Sequence, residues 1–334
     1  MLVDLTAKLE AKRDLDPGEI AAACAGLLDE AAGLPERAGF LRALHRKGET
    51  PAEIAGFVRE FLTHAVRPKL SGEFLDVCGT GGDKAGLFNV STAVMFVAAA
   101  CGVRVVKHGN RGVTSKSGGA DVLEALGIRL DLDPAESLGT AGCAFLFAQR
   151  YHPAFKAVAP VRKVLGEEGT PTIFNMIGPL LNPAIPAFQI AGVFSETLLP
   201  TYAEVFRLLG RKRAWVVHGT GGLDEVSTLG PTRGLTVEAG RIEPVVIDPV
   251  TLGLPPAALE DLRGGDPQEN ARLMEELLSG RQKGPKRDIL VLNAACALVV
   301  VGAAVDLPSA LVRVGAALDE GAPARVLQRL QQLR

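Results

Sequence analysis

A repeated alternation of short apolar runs, glycine-rich loops and helical segments begins at Phe74 and constrains the fold more than any other feature of this sequence. The apolar runs predict strands at residues 74–78, 103–107, 128–132, 144–147, 188–193 and 214–217. Residues 233–247 predict a β-hairpin, because Ala239 and Gly240 supply a turn within the run. Strands that alternate with helices form a largely parallel sheet covered by helices. The sequence therefore predicts an α/β domain.

Residues 1–70 have a different pattern, which predicts helices only. Two helix starts, at residues 16–19 (DPGE) and 50–53 (TPAE), combine a capping residue, a proline in the first turn and a glutamate three residues after the cap. The second start is followed by an apolar face at helical spacing, formed by Ile54, Phe57, Val58 and Phe61. A small helical domain is therefore expected before the α/β domain.

The composition excludes several classes of function. The chain has 334 residues, enough for about two domains of roughly 150 residues each. Its 36 Lys and Arg residues against 38 Asp and Glu residues give a net charge of −2. Proteins that grip nucleic acid through many phosphates are usually basic, so no nucleic-acid partner is expected. A local phosphate site remains compatible with this charge.

No segment of the sequence predicts secretion or insertion into a membrane. The first residues alternate charged and apolar side chains and lack the apolar core of a signal peptide. The longest apolar stretch, residues 289–305, is interrupted by Asn293 and predicts a buried helix. Five widely spaced cysteines without zinc-type spacing are expected to be reduced and buried. We therefore expect a cytoplasmic protein with no membrane partner.

A glycine-rich loop, residues 79–83 (GTGGD), joins the first predicted strand to the next helix. Glycines let backbone N–H groups approach a ligand that a side chain would keep away. Residues 89–92 (NVST) then place polar groups at a helix start, where the helix dipole favours an anion. The loop is typical of a phosphate site, although a plain turn with a helix cap would have the same composition. A Walker loop is excluded, because no Gly-Lys-Ser/Thr sequence follows.

A second polar loop, residues 107–115 (KHGNRGVTS), follows the next predicted strand. Ligands of open α/β sheets bind beyond the carboxyl ends of the strands, so the two loops are expected to converge. Lysine, arginine, amide and hydroxyl groups packed into this segment indicate a binding site for an anion. The alternative is an ordinary solvated basic loop. His108 by itself does not indicate a general base.

A third loop, residues 218–225 (HGTGGLDE), follows another predicted strand and ends in the adjacent carboxylates Asp224 and Glu225. Adjacent carboxylates repel each other unless a cation is present. Mg²⁺ prefers one or two carboxylates together with phosphate oxygens and water. Alone, the pair would be interpreted as the acidic start of a helix; beside two phosphate-type loops it predicts a magnesium site.

At these loops the sequence resembles the anthranilate phosphoribosyltransferase family, and the resemblance extends nearly from end to end. Matching segments follow the family's order at residues 47–50, 79–83, 89–92, 107–111, 120–127, 152–154, 161–162, 173–175, 178–180, 182–183 and 224–225. The resemblance implies a fold of the nucleoside phosphorylase/phosphoribosyltransferase type. The helical domain would comprise residues 1–70 and a segment near 166–185, and the α/β domain residues 71–165 and 186–334. It also implies homodimers that associate through the helical domain.

The resemblance further implies a reaction and a set of contacts. The 5-phosphoribosyl group of phosphoribosyl diphosphate would pass to the amine of anthranilate with release of diphosphate, a step of tryptophan biosynthesis. Phosphoribosyl diphosphate would contact Gly79, Gly82, Asp83, Asn89, Val90, Ser91, Thr92, Lys107, His108, Gly109, Asn110, Arg111, Gly112, Val113, Thr114 and Ser115. Anthranilate would contact Gly79, Asn110 and Arg162, whose guanidinium suits a carboxylate. Magnesium, two ions by expectation, would contact Ser91, Asp224 and Glu225.

The sequence departs from the family pattern at three places. Leu87 stands where a threonine is usual and Gly119 where a serine is common, so two hydroxyl groups are missing. Residues 166–171 form a longer segment than usual and lack the arginine that is typical just before Thr172. These departures concern single contacts and the entry of the aromatic substrate, not the class of reaction.

The implied mechanism requires no protein nucleophile or base, because an aromatic amine is neutral at pH 7. Positioning and electrostatic stabilisation of the departing diphosphate would carry catalysis. The nearest alternative enzyme is a pyrimidine nucleoside phosphorylase, but its Lys-x-Ser-Gly-Arg loop is replaced here by KHGNR at residues 107–111. A paralogue that binds nucleic acid disagrees with the net charge and with the pair Asp224 and Glu225. An NAD enzyme would need a Gly-x-Gly-x-x-Gly sequence, which is absent.

Overall fold

The computed structural model describes residues 1–82, 85–112 and 116–333. The chain divides into two compact units. The first contains Met1–Arg67 and Gln149–Pro183, and the second contains Pro68–Ala148 and Ala184–Arg334. A helical unit and an α/β unit are thus both present, as the sequence predicts.

The α-helices of the described residues are, in chain order, α1 (Leu2–Glu10), α2 (Pro17–Leu28), α3 (Leu34–Lys47), α4 (Pro51–Thr63), α5 (Val90–Ala100), α6 (Gly119–Ala125), α7 (Pro134–Ala141), α8 (Ala148–Tyr151), α9 (Ala159–Glu167), α10 (Leu199–Leu208), α11 (Leu259–Leu262), α12 (Pro267–Leu278), α13 (Pro285–Val301), α14 (Leu307–Asp319) and α15 (Ala322–Gln332). Short 3₁₀ helices occur at Pro153–Lys156, Ile173–Asn175, Gly178–Leu180 and Glu196–Leu198. The strands are β1 (Leu75–Gly79), β2 (Val105–Gly109), β3 (Cys143–Phe147), β4 (Phe188–Gly192), β5 (Arg213–His218), β6 (Thr232–Glu238) and β7 (Arg241–Ile247).

The helices of the first unit begin where the sequence predicts. The Asp16 carboxylate accepts from the Glu19 N–H at 2.9 Å, and the Glu19 carboxylate accepts from the Asp16 N–H at 2.7 Å. Thr50 and Glu53 form the same reciprocal pair at the start of α4. Such capping boxes satisfy N–H groups that the first turn of a helix leaves without partners. The apolar face of α4 is buried beside Phe40, as predicted.

The second segment of the first unit packs on α3. The Arg37 guanidinium donates to the Ala157 carbonyl at 2.8 Å, and Arg42 forms a two-point ion pair with Glu168. Residues 149–165 therefore belong to the helical unit, whereas the predicted boundary placed them in the α/β domain. This segment contains a 3₁₀ turn at Pro153–Lys156 followed by α9.

The second unit is built on a sheet that contains seven strands within the described residues, in the order β3-β2-β1-β4-β5-β6-β7. The first five strands of this order pair in parallel. The hairpin of β6 and β7 adds two antiparallel strands at the β5 edge, in agreement with the prediction for residues 233–247. The crossover connections carry helices, which cover the faces of a parallel sheet.

The core of the second unit is centred on α5 and α13. Both helices are apolar on nearly every side, and both are buried almost throughout. The α13 helix packs against α5 and α14, which explains its long apolar run. Among the described helices, none has both the length and the apolar character needed to cross a bilayer. All five cysteines are reduced and buried, and burial raises the pKa of the Cys143 thiol to about 12.

One predicted strand, at residues 128–132, is wrong. Gly127 has a φ of 76° and ends α6, and the Ile128 N–H donates to the Leu123 carbonyl at 2.9 Å to close that helix. Arg129 and Asp131 then form a local ion pair. The apolar side chains alternate here because Ile128 is buried in the core, and Leu130 and Leu132 pack against that core. The connection from β2 to β3 therefore contains two helices and no strand within the described residues.

Candidate functional site

The three polar loops follow β1, β2 and β5, whose parallel carboxyl ends share one edge of the sheet. We call their described parts the first loop (residues 79–82 and 85–89), the second loop (109–112 and 116–118) and the third loop (219–226). Strand β1 lies where the strand order reverses, with β2 on one side and β4 on the other. In open α/β sheets such a switch point is where ligands bind.

The first and third loops are in direct contact. The Gly81 N–H donates to the Asp224 carboxylate at 2.6 Å. A Cβ added at Gly79 would lie 2.4 Å from the same carboxylate, and one at Gly192 would lie 1.6 Å from the Asp224 carbonyl oxygen. Glycine is therefore required at the ends of β1 and β4, because the Asp224 side chain lies against Gly79 and the Asp224 backbone lies against Gly192.

Lys107 connects the second loop to the start of α5. Its ammonium group donates to the Val77 carbonyl at 2.5 Å and to the Ser91 hydroxyl at 3.1 Å. The residue is only 4% exposed, and among the described residues no carboxylate pairs with it. A buried cation that has only neutral partners is costly unless an anion joins it. Lys107 is therefore a candidate partner for an anionic ligand.

The second loop is held in shape by Asp121 of α6. The carboxylate accepts from the Gly112 N–H at 2.8 Å and from the Gly118 N–H at 2.9 Å. A Cβ at Gly118 would lie 2.2 Å from the Gly112 nitrogen, so the two ends of the loop touch. Asp121 was not predicted as a site residue, although an acidic residue in the first turn of a helix can bind N–H groups of the preceding loop.

Arg111 is engaged by acidic neighbours on α6. Its guanidinium bonds to Asp121 at 3.0 Å and pairs with Glu124, and it lies over the Phe147 ring at 5.4 Å from the centroid. These hydrogen bonds raise the pKa of Arg111. The predicted phosphate contact of Arg111 would therefore have to compete with two carboxylates.

The start of α5 contributes four of the predicted residues. Asn89 is the N-cap, Val90 and Thr92 are buried, and Ser91 is half-buried beneath Lys107. The Asn89 side chain bonds to Ser117 of the second loop, whose carbonyl accepts from the Asn89 amide at 3.0 Å. The first and second loops therefore meet at the N-terminus of α5, where an anion is favoured.

The remaining predicted residues are placed as follows. His108 is buried, and its backbone N–H donates to the buried Asp76 carboxylate at 3.3 Å. Asn110 is exposed and its side chain accepts from the Arg111 N–H at 2.8 Å. Gly82 has a φ of 94°, a conformation that favours glycine. Four predicted residues lie outside the described residues: Asp83, Val113, Thr114 and Ser115.

The acidic pair of the third loop fits the requirements of magnesium. Asp224 is buried and Glu225 half-buried, with Asp224 bonded to the first loop. The described residues contain no group of three or more His, Cys, Asp or Glu that could hold a metal ion alone. Two carboxylates leave coordination positions for water and phosphate oxygens, which is how Mg²⁺ is usually bound with a phosphorylated substrate.

Asn293 of α13 anchors the third loop through two hydrogen bonds. Its side-chain oxygen accepts from the Val226 N–H at 2.9 Å, and its amide donates to the Val226 carbonyl at 2.7 Å. This two-point contact holds the residue next to Glu225, and Asn293 itself is buried in the apolar helix α13. Asn293 was not predicted as a supporting residue, although a buried amide in an apolar helix indicates a specific partner.

Arg162 belongs to the first unit, where it lies on α9. Its guanidinium lies over the Phe174 ring, 5.5 Å from the centroid. Partial loss of water lowers the pKa of the guanidinium, although the residue is exposed. Among the described residues no carboxylate pairs with it, so the group is available for an anionic ligand.

The structure shows the surroundings of the three places at which the sequence departs from the family pattern. Leu87 forms an antiparallel bridge with Arg263, so its backbone ties the first loop to the segment before α12. A Cβ at Gly119 would lie 3.1 Å from the Thr92 hydroxyl, so a larger residue there would press on α5. Residues 166–171 contain the end of α9 and Gly169, whose φ of 67° makes the turn that follows.

Comparison with known proteins assigns the chain to a family. The helical bundle domain of the glycosyl transferase family matches residues 3–65, and the a/b domain of that family matches residues 71–324. An anthranilate phosphoribosyltransferase of Rhodospirillum rubrum is 50% identical over 295 residues, which cover 87% of this chain and 84% of the relative. The chain belongs to the anthranilate phosphoribosyltransferase family.

Solved structures of this family share the fold over nearly the whole chain. The anthranilate phosphoribosyltransferase of Thermus thermophilus is 40% identical, with a TM-score of 0.88 and coverage of 98% of both chains. The Saccharomyces cerevisiae enzyme in complex with PRPP (phosphoribosyl diphosphate) and Mg is 28% identical, with a TM-score of 0.88, and the match covers 98% of this chain and 96% of the yeast chain. These neighbours support the family's two-domain architecture for this chain.

Proposed function

We propose that this chain is an anthranilate phosphoribosyltransferase, which transfers the 5-phosphoribosyl group from PRPP to the amine of anthranilate and releases diphosphate. The family membership supports this reaction, and the site supports its donor. The observation that carries the proposal is the buried Lys107, which has only neutral partners beside the N-terminus of α5 and at the meeting point of the loops. That arrangement suits a polyanion.

The diphosphate is the group that these residues are arranged to hold. Backbone N–H groups of the first loop and the N-terminus of α5 would bind its oxygens, with Ser91, Thr92 and Lys107 beside them. As the bond between ribose C1 and diphosphate breaks, negative charge grows on the departing oxygens. Donors that are already in place stabilise this charge without reorganisation, which is the main electrostatic contribution to catalysis.

Ser91, Asp224 and Glu225 are the residues that would hold magnesium. When bound, Mg²⁺ neutralises charge on the diphosphate and favours its departure. Asp224 is oriented by the Gly81 N–H, and the third loop is fixed by Asn293, so the carboxylates are positioned before the substrate arrives. The proposal includes two magnesium ions at this site.

The acceptor needs orientation more than activation. The anthranilate amine is neutral at pH 7 and can attack C1 without prior loss of a proton. Arg162 would bind the carboxylate of anthranilate through two parallel hydrogen bonds, and Gly79 and Asn110 would complete its contacts. Catalysis would then rest on positioning and on stabilisation of the leaving group, with no protein nucleophile or base. The homodimer and the cytoplasmic location also remain predictions.

The direct test is the loss of anthranilate fluorescence when the protein is mixed with PRPP and Mg²⁺. We expect the fluorescence to fall only when PRPP, anthranilate and Mg²⁺ are all present, with diphosphate released in equal amount. A parallel assay with thymidine and inorganic phosphate tests the alternative of a nucleoside phosphorylase. Phosphorolysis of thymidine without turnover of anthranilate would overturn the proposal.

A further inference from the structure

A buried amide from α12 reaches the start of α5. Asn270 is 2% exposed, and its side-chain amide donates to the Asn89 side-chain oxygen at 3.1 Å. The two residues are 181 positions apart in the chain. Asn270 lies after the Gly264-Gly265 turn, and a Cβ at Gly264 would lie 2.5 Å from its side-chain oxygen. The turn is thus packed tightly around this one amide.

The hydrogen bonds of Asn270 and Asn89 have a fixed direction. The Gly265 N–H donates to the Asn270 side-chain oxygen at 2.8 Å, so the Asn270 amide group must face Asn89. At the other end, the Asn89 amide donates to the Ser117 carbonyl at 3.0 Å, so its oxygen must face Asn270. Backbone groups cannot exchange donor for acceptor. The chain of bonds from Gly265 to Ser117 can therefore run in one direction only.

This chain of bonds keeps the Asn89 side chain away from its own helix. An asparagine at an N-cap usually accepts from N–H groups of the first turn. Asn89 is the N-cap of α5, yet within the described residues its side chain makes no such capping bond. Its oxygen accepts instead from Asn270 and from the Ser117 hydroxyl, the latter at 3.2 Å. The Asn89 side chain therefore does not occupy the N–H groups at the start of α5, and an anion can bind them.

Further contacts tie the same two segments together. The Gly264 N–H donates to the Gly86 carbonyl at 2.9 Å, and Leu87 forms a bridge with Arg263. The segment before α12 therefore lies along the first loop and brings Asn270 to its position. None of these backbone bonds involves the Asn89 side chain, which Asn270 holds from one side and Ser117 from the other.

We propose that Asn270 is a positioning residue for PRPP: it orients Asn89 and so keeps the N-terminus of α5 open to the diphosphate. The inference rests on the proposed function. Without the donor at position 270, only Ser117 holds the Asn89 side chain, which can then turn to cap α5 and compete with the ligand. The effect should appear in the affinity for PRPP with magnesium and much less in the KM for anthranilate.

The test is titration calorimetry of PRPP with Mg²⁺, with Asn270→Asp as the main variant. This change keeps the acceptor for Gly265 but turns a second carboxylate oxygen toward the Asn89 oxygen. At pH 8.5 we expect the Kd for PRPP to rise about tenfold relative to the wild type. Burial among acceptors raises the pKa of the introduced carboxyl group. At lower pH the introduced carboxyl group becomes protonated and can again donate to the Asn89 oxygen. The ratio of the Kd of Asn270→Asp to that of the wild type should therefore fall toward one by pH 6.

Two further variants separate positioning from general stability. Asn270→Ser removes the long amide without adding charge, and should raise the Kd to a similar extent at every pH. Asp266→Ala removes the cap of the same helix α12, whose carboxylate accepts from the Glu269 N–H at 2.8 Å. It should lower Tm while the Kd stays within twofold of the wild type.

Three results would overturn the inference. The first is a Kd at pH 8.5 within twofold of the wild type for either variant at position 270. The second is a ratio for Asn270→Asp that does not change with pH, and the third is a loss of affinity in Asp266→Ala as large as that in Asn270→Asp. If the wild-type protein itself gives no heat with PRPP and Mg²⁺, the proposed function fails and this inference falls with it.

Discussion

The Lys107 ammonium group is buried among neutral oxygens, beside the start of α5. Many lysines and arginines elsewhere pair with carboxylates at the surface, as Lys212 does with Glu73. A surface pair contributes little to stability, and a buried cation without an anion is unfavourable. The charge of Lys107 therefore serves ligand binding at a cost to the free energy of folding.

Replacement of Lys107 by methionine tests this trade-off. Lys107→Met keeps the length of the side chain but removes a buried charge, so we expect the Tm of the ligand-free protein to stay equal or to rise. The KM for PRPP should increase about 100-fold, because a charge-assisted contact to the phosphates is lost. Thermal unfolding with and without PRPP and Mg²⁺ measures both effects. A large loss of Tm with unchanged KM would show that Lys107 is structural.

Arg162 gives a prediction for the second substrate. Arg162→Ala should raise the KM for anthranilate about 10-fold to 100-fold and leave the KM for PRPP within twofold, because a two-point contact to a carboxylate is removed. Lys163→Ala, the neighbouring cation, is the matched control and should leave both values unchanged. Steady-state kinetics with each substrate varied separately makes the measurement. An unchanged KM for anthranilate in Arg162→Ala would remove this residue from the site.

Single residues were predictable from the sequence where their chemistry is visible in a motif. The glycine-rich loops and the pair Asp224 and Glu225 could be found in this way. The supporting amides Asn270 and Asn293 could not, because each acts on a backbone or side-chain group far away in the chain. Burial, which only the fold supplies, turns an ordinary asparagine into a positioning group.

At the scale of elements, the site depends on how closely the strand ends approach the third loop. Gly192 ends β4, and its Cα faces the backbone of Asp224, where a Cβ has no room. The strands β1, β4 and β5 hold this geometry through continuous parallel pairing. A displacement of the third loop would therefore move both carboxylates away from the first loop.

Two glycine substitutions in the same unit test this dependence. Gly192→Ala should destabilise the protein by more than about 3 kcal/mol, beyond the usual range for overpacking. It should also abolish the binding of PRPP with Mg²⁺. Gly139→Ala lies within α7, where a Cβ meets no atom within 4 Å, and should stabilise the protein by about 0.5–1 kcal/mol. Chemical denaturation measures both changes; wild-type stability and binding in Gly192→Ala would contradict the close approach.

Elements with strong periodicity and caps were predicted well, and the errors have physical causes. The capped helices α2 and α4 begin at the predicted residues because their signals are local. The false strand at residues 128–132 has strand-like alternation, but the Ile128 N–H is used to close α6. The sequence also could not place residues 149–165, since their partner α3 lies more than a hundred residues away.

At the scale of the whole molecule, the two units divide the predicted tasks. The second unit holds the three loops, the acidic pair and the buried lysine, and the first unit holds Arg162. The general class of fold follows from the alternation of strands and helices. The reaction does not follow from that alternation, because many activities use similar folds. The order of the motifs along the chain and the family membership supply the missing specificity.

The central claim is that the third loop joins the first and second loops in binding one diphosphate with divalent ions. Titration calorimetry of PRPP, with and without Mg²⁺, tests it in the wild type and in the double variant Asp224→Asn with Glu225→Gln. We predict that Mg²⁺ strengthens PRPP binding strongly in the wild type, and that the double variant loses this strengthening while its Tm remains close to the wild-type value. Binding of PRPP that responds to Mg²⁺ equally in both proteins would contradict the account.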